Sequence, residues 1–372
     1  MTNGIRPWPR LLLMLGALLG AFVIAGGLAS CKRQATGTAA EMGGKSAVIN
    51  LNGAGATFPY PLYSKWFAEF GLAHSDVRIN YQSIGSGGGI RQLKAGTVDF
   101  GASDAPLSDE EMKEMPGAVV HIPTVAGAVV LAYNLPNVPK GLRLDADIVA
   151  GMFLGEVTRW NDPKIIKLNP RLQLPNRPVT IVHRSDGSGT SHIFTSYLAA
   201  VSPTWKTKVG SGKSVNWPVG IGGKGNEGVA GVVKETQGGI GYVELAYAEQ
   251  NKLAYAYIRN KAGYFIEPTI ASTTAAASGA AEAMKKDVRV CIVNASGRFA
   301  YPIAGFTYIL VYQNQADTTK GKAVVDFLRW AIRDGQQHAE ALLYAKLPES
   351  IVKLNEAALK TIISGGKTVW TK

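Results

Sequence analysis

The chain has 372 residues, of which 46% are apolar and 18% charged, so it can bury a large core and is not intrinsically disordered. Thirty-nine basic side chains against 27 acidic ones leave a net charge of +12, which raises the question of a polyanionic partner. Two cysteines, and 43 glycines without a Gly-X-Y period, exclude a disulfide-stapled mini-domain and a collagen, and the length suits about two domains.

At the amino terminus Arg6 and Arg10 precede an uncharged run from Leu11 to Leu28, which ends in Leu28-Ala29-Ser30-Cys31. A basic start, an apolar stretch and small residues before a break describe a secretory signal over residues 1–30. A retained membrane helix is the alternative, because the run just reaches bilayer thickness; Gly26-Gly27 and the small residues favour cleavage. Leu-Ala-Ser-Cys resembles the lipobox of bacterial lipoproteins, which implies a lipid on the Cys31 thiol. Residues 31–47 are small and polar and read as a flexible tether to a folded body. Cys291 is then the only other cysteine, with no partner in the chain for a disulfide.

From Val48 onward, short Val/Ile/Tyr runs alternate with helical periodicity, the punctuation of an α/β fold. Strands are predicted from Ser46 to Leu51, Val77 to Ser83 and Val98 to Ser103, with helices at 60–71 and 90–94. Leu62, Trp66 and Phe70 recur at i, i+4 and i+8 on the first helix. Ser108 and Glu111 match a capping box. The apolar runs 119–123 and 128–134 can carry the chain from one lobe to another. Further strands are expected at 179–183, 240–243, 254–258, 288–293 and 307–312, and helices at 193–201, 229–236, 275–286, 321–333 and 350–363. No repeat of fixed period is present.

Three glycine-rich turns share one design, each after a predicted strand and before a predicted helix: Gly53-Ala-Gly-Ala-Thr57-Phe58-Pro59, Ile84-Gly-Ser86-Gly-Gly-Gly89 and Ser185-Asp186-Gly-Ser188-Gly189-Thr190. Glycine lets the backbone turn sharply, and the first turn of a helix has amides without internal partners. An oxyanion can accept those hydrogens at the positive end of the helix dipole. Gly212-Lys213-Ser214 and Gly44-Lys45-Ser46 both lack the leading glycine of a nucleotide-binding P-loop. Asp186-Gly-Ser188-Gly-Thr is not Gly-x-Ser-x-Gly, and the five histidines have no metal-ligand spacing, so no catalytic residue, metal or cofactor is assigned. His183 reads as a surface residue of its strand.

With Val98-Asp-Phe-Gly-Ala-Ser-Asp104-Ala-Pro-Leu-Ser and Arg184 added, these segments in this order resemble the phosphate-binding proteins (PstS type) of bacterial phosphate ABC importers. Trp217 to Asn226 and Gly239 to Ala248 are similar to two further blocks of that family. The resemblance implies a two-lobed periplasmic-binding-protein fold (type II) that closes over inorganic phosphate in the cleft between lobes. Lobe I is expected over residues 48–126 and 300–372, and lobe II over 127–299. By motif position, Thr57, Phe58 through its amide, Ser86, Asp104, Arg184, Ser188, Gly189 and Thr190 hold the ligand, and Asp186 orients Arg184. The departures are His183, where a second arginine is often found, and Gly87, where serine is frequent; neither is assigned to the ligand. The implied partners are the permease subunits in the inner membrane and, through Cys31, membrane lipid; the body is expected to act as a monomer outside the cytoplasm.

The chemistry can be argued from the residues alone. Arg184 can meet two oxyanion oxygens with parallel N–H donors. A carboxylate at Asp104 suits phosphate, which at neutral pH keeps at least one hydroxyl to donate, whereas fully ionised sulfate would meet an unrelieved like charge. The alternatives are a phosphatase-like hydrolase using Ser188 or Thr57, a receptor for another oxyanion, and a polyanion binder. Residues 1–45 carry +4 of the +12, and Arg184 against Asp104 and Asp186 leaves the proposed site at −1, so the excess base marks tether and surface rather than a nucleic-acid site.

Overall fold

The computed structural model describes residues 48–371. The expected signal, the tether and Cys31 lie outside the described residues. Nine strands form the main sheet: β1 (Ile49–Gly55), β2 (Val77–Ser83), β3 (Phe100–Ser103), β4 (Val119–Tyr133), β5 (Thr180–Arg184), β6 (Ile221–Gly223), β7 (Gly239–Glu244), β8 (Ala254–Tyr255) and β9 (Ala304–Tyr312). The helices that position the site are α1 (Tyr60–Ala73), α2 (Ser86–Lys94), α3 (Gly189–Val201), α4 (Gly225–Glu235) and α5 (Leu245–Gln250). The strand order is β2-β1-β3-β9-β4-β7-β5-β6, with β8 paired to β4. β1, β2 and β3 run parallel at one end, and β5, β6 and β7 run parallel at the other. The antiparallel strands β4 and β9 join the two parallel groups.

β4 is one continuous strand where the sequence suggested two runs. Its first ten residues lie along β9 (Val119↔Tyr312 to Ala128↔Ala304), and Val129 to Tyr133 lie along β7. All but one of its fifteen residues are buried, which accounts for its mostly apolar character, interrupted by His121 and Thr124. The ladder with β9 slips at Thr307/Tyr308, where Thr124 is the extra residue of a bulge beside Pro123. Carbonyls left spare there are taken by side chains: Asn355 Nδ2 donates to Pro123 C=O at 2.7 Å and Gln336 Nε2 to Thr124 C=O at 3.0 Å.

On α1 the predicted stripe of Leu62, Trp66 and Phe70 is buried, joined by Tyr63. α2 begins at Ser86 rather than Ile90, so Gly87, Gly88 and Gly89 form its first turn instead of preceding it. Gly53 and Gly55 likewise belong to β1. The predicted helix 275–286 is broken around Gly279 into Ile270–Ala277, a tight turn at Ser278–Ala280 and Ala281–Met284.

Residues 288–293 are not a strand. The Tyr308 hydroxyl satisfies the carbonyls of Val288 and Val290 at 3.1 and 3.4 Å, so this apolar run is held by a side chain rather than by a neighbouring ladder. No described helix is long and apolar enough to cross a membrane.

Candidate anion-binding site

The candidate residues come from the carboxyl ends of parallel strands, where open α/β sheets gather ligands. Thr57 and Phe58 follow β1, Gly85 and Ser86 follow β2, Asp104 follows β3, and β5 ends on Arg184 itself. All eight assigned residues are buried, Asp104 at 3% exposure and Arg184 at 4%. Gly85 sits at φ +83°, and a Cβ there would strike the Asp186 carboxylate and come within 2.8 Å of the Gly187 carbonyl, so glycine is what lets the second and third turns meet.

These turns are tied together directly. The Gly87 N–H donates to the Gly187 C=O at 2.8 Å, and the Gly189 N–H donates to Ser86 Oγ at 3.0 Å. Ser86 Oγ also accepts from the Asp104 N–H at 3.3 Å. A Cβ on Gly189 would lie 2.5 Å from Asp104 Oδ2 and 2.6 Å from Ser86 Oγ. From the other side, Asn226 in the first turn of α4 donates through Nδ2 to Thr57 Oγ1 at 2.7 Å and to Thr190 Oγ1 at 3.1 Å. Arg184 Nη1 reaches the same Thr190 oxygen at 3.3 Å. The three turns therefore converge through Asn226, Thr190 and Ser86.

Asp186 accepts from Arg184 Nε at 2.7 Å and again through its second oxygen from Nη2, a two-point pairing that holds the plane of the guanidinium. Burial alone would raise the Asp186 carboxyl, but the Arg184 hydrogen bonds and charge hold it below the ordinary carboxylate range. Asp104 differs. Burial pushes its carboxyl up to about 7, against the opposing pull of the Thr307 hydroxyl, which donates to Oδ1 at 2.8 Å, and of the Arg184 charge.

Some assigned groups are already engaged. Ser188 Oγ caps α3 by accepting from the Ser191 N–H at 3.0 Å, and the Ser188 N–H donates to the Lys213 carbonyl at 2.8 Å. The Ser188 hydroxyl hydrogen, not its amide, is what it can offer. Among the described residues, the buried amides of Phe58, Ser86 and Thr190 donate to no protein acceptor. Buried amides without acceptors are costly in a native fold, and beside Arg184 these three can donate to an oxyanion. Among the described residues no three His, Cys, Asp or Glu side chains are grouped to hold a metal.

Sequence reasoning missed Asn226, Thr307, Tyr242, Tyr247 and Tyr344. Asn226 closes the Trp217 to Asn226 segment, where its amide alone points to no ligand, and Thr307 lies in an apolar strand without a local signal. The Tyr242 hydroxyl accepts from the Arg184 N–H at 3.0 Å and contacts Ser191 Oγ at 2.6 Å, which seats the arginine backbone. His183, read as a surface residue, is half-buried and stacks on Trp217 with ring centroids 5.0 Å apart.

At the rim, Lys213 Nζ bonds both oxygens of Glu111 at 2.6 and 2.7 Å. Glu111 stands on the short helix Asp109–Lys113, whose predicted capping box is present.

Comparison with known proteins gives the family and the fold. Residues 34–334 match the model of the PBP superfamily domain. The phosphate-binding protein PstS of Xylella fastidiosa (strain 9a5c) is 48% identical over 310 residues, covering 83% of this chain and 84% of the relative. The PstS of Haemophilus influenzae is 45% identical, covering 84% of this chain and 93% of the relative. Among solved structures, a high-affinity periplasmic phosphate-binding protein (PfluDING) bound with phosphate superposes with a TM-score of 0.67 at 21% identity, over 86% of this chain and 96% of that one, which shows the two-lobed fold. Fold, turn order and identity over most of the length together make this chain a member of the PBP superfamily and, within it, of the PstS family of phosphate-binding proteins.

Proposed function

We propose that the chain is the extracytoplasmic receptor of a phosphate ABC importer, closing two lobes over one inorganic phosphate and handing it to the permease without covalent chemistry. The observation that carries this reading is the set of free buried amides of Phe58, Ser86 and Thr190 beside the Arg184 fork, with the Asp104 carboxyl in the same site. The amides and Arg184 neutralise phosphate oxygens, the hydroxyls of Thr57, Ser86, Ser188 and Thr190 supply further donors, and Asp104 accepts the hydrogen of a P–O–H group. The lobes are residues 48–126 with 300–372, and 127–299. In this reading the contacts Ser86–Gly189, Thr57–Asn226 and Glu111–Lys213 would be those made on closure.

In this proposal Cys31 carries the lipid that holds the receptor, as a monomer, at a membrane surface. Equilibrium binding of labelled phosphate to the purified protein tests the ligand. Saturable binding at micromolar phosphate with little competition from sulfate is expected, and equal competition by sulfate would sink the reading. Mass analysis of the mature amino terminus tests the lipid at Cys31.

A further inference from the structure

The turn that presents the Phe58 amide is gripped by two phenols. Tyr247, on α5, donates its hydroxyl to the Thr57 C=O at 2.6 Å. Tyr344, from the carboxyl-terminal part of the chain, donates to the Phe58 C=O at 2.6 Å. Both rings are buried, at 4% and 0% exposure.

A peptide unit is planar and trans, so its C=O and N–H point in opposite directions. The Thr57 carbonyl and the Phe58 N–H belong to one such unit. Holding the first therefore aims the second. The Phe58 carbonyl belongs to the next unit, which ends on Pro59 and has no N–H. The Tyr344 bond thus fixes the other plane flanking Phe58.

We propose that Tyr247 and Tyr344 are positioning residues that aim the Phe58 amide at the bound phosphate, an inference that rests on the phosphate reading above. The Thr57 carbonyl also accepts the Tyr60 N–H at 3.1 Å, but that bond only closes the turn upon itself. Tyr247 ties the same carbonyl to the segment 127–299, so the amide is set when the lobes meet. The carboxyls facing the phenols are Glu227, whose Oε1 lies 3.1 Å from the Tyr247 hydroxyl, and Glu244, whose Oε2 lies 3.1 Å from that of Tyr344. Burial, with these carboxyls, pushes both phenols upward, so they keep the hydrogens they donate. Tyr344, from the same lobe as Phe58, holds its plane before the ligand arrives, and Tyr247 completes the hold on closure, so less freedom is lost on binding.

The test uses calorimetric titration with inorganic phosphate and amide chemical shifts of the isotope-labelled protein. Tyr247→Phe is expected to weaken binding about tenfold, the effect of one lost hydrogen bond. The phosphate-induced shift of the Phe58 amide should shrink while those of Ser86 and Thr190 persist. Tyr344→Phe serves as a second variant with the same pattern, should the first fail to fold. A Phe58 shift unchanged in a folded variant overturns the inference alone. Absence of phosphate-induced shifts at Phe58, Ser86 and Thr190 in the unaltered protein overturns the phosphate reading, and this inference with it.

Discussion

Asp104 is an acid set among donors for an anion, and its burial decides how it behaves. A carboxyl raised to about 7 is ionised above neutrality and protonated below it. In the proposed role it accepts from phosphate and repels sulfate when ionised; protonated, it can donate to either. Competition by sulfate should therefore grow as the pH falls from 8 to 5, as read from phosphate displacement at each pH. Asp104→Asn should show weak discrimination at every pH, and an unchanged preference for phosphate would count against the proton-acceptor role. The stability effect has the opposite sign from that of a salt-bridged acid. Because the folded protein binds this proton more tightly than the unfolded chain, the Asp104 contribution to stability falls as the pH rises from about 4 to about 7 and stays low above that. Asp104→Asn should thus melt higher than the unaltered protein at pH 8, by on the order of 2–4 kcal/mol of stability, and about equally at pH 4. The three turns could be read in the sequence because their chemistry is local, a glycine, a hydroxyl and a helix start within a few residues, whereas Asp104 and Arg184 entered through the resemblance of the segments that carry them. Thr307, which sets the Asp104 hydrogen bond from 203 residues away, could not be read, because the bulge that aims it arises only when β4 and β9 pair.

Among the elements, the helix Asp109–Lys113 works as a clasp. Its Glu111 closes the capping box by accepting the Ser108 N–H at 3.0 Å and also receives Lys213. Arg289 adds a second bond across to the same helix, through Asp109 at 2.8 Å. The Lys213 carbonyl in turn holds the Ser188 amide, so the clasp and the third turn move together. Both charged groups of the Lys213–Glu111 pair are partly exposed, so the pair is worth about 1 kcal/mol at most. Lys213→Met should speed phosphate release about fivefold with a smaller change in the rate of binding, and the difference should vanish at high salt, as followed by stopped-flow displacement. The capping box was legible from Ser108 and Glu111 alone. The clasp was not, since Lys213 lies 102 residues further on and its partner is chosen by lobe closure. The strand expected at 288–293 failed for a related reason: its apolar residues report burial, whereas a strand also needs a neighbour for its backbone, and here the Tyr308 hydroxyl takes that place.

For the whole molecule, closure makes ligand and stability one quantity. Phosphate at a hundredfold excess over its dissociation constant should add about 2.7 kcal/mol of stability, seen as a rise in melting temperature that equal sulfate does not produce. With +4 in residues 1–45, the body carries the remaining +8 of +12, and the proposed site of Arg184 against Asp104 and Asp186 is itself at −1, so the net charge is not what the anion site would rest on. The α/β class was legible from the alternation of strand and helix runs, and the two-lobed fold from the family resemblance that the ordered segments carry. That the lobes share a strand was not, since the runs at 119–123 and 128–134 looked separate until β9 and β7 were seen on either part of β4. A strand laddered into both halves behaves as a torsion bar. When one lobe swings from the other, β4 must take up the rotation as added twist, and its cross-strand bonds resist. Such a shared strand is expected to make opening elastic rather than free, with twist stored in the ladder favouring the return of the lobes toward each other.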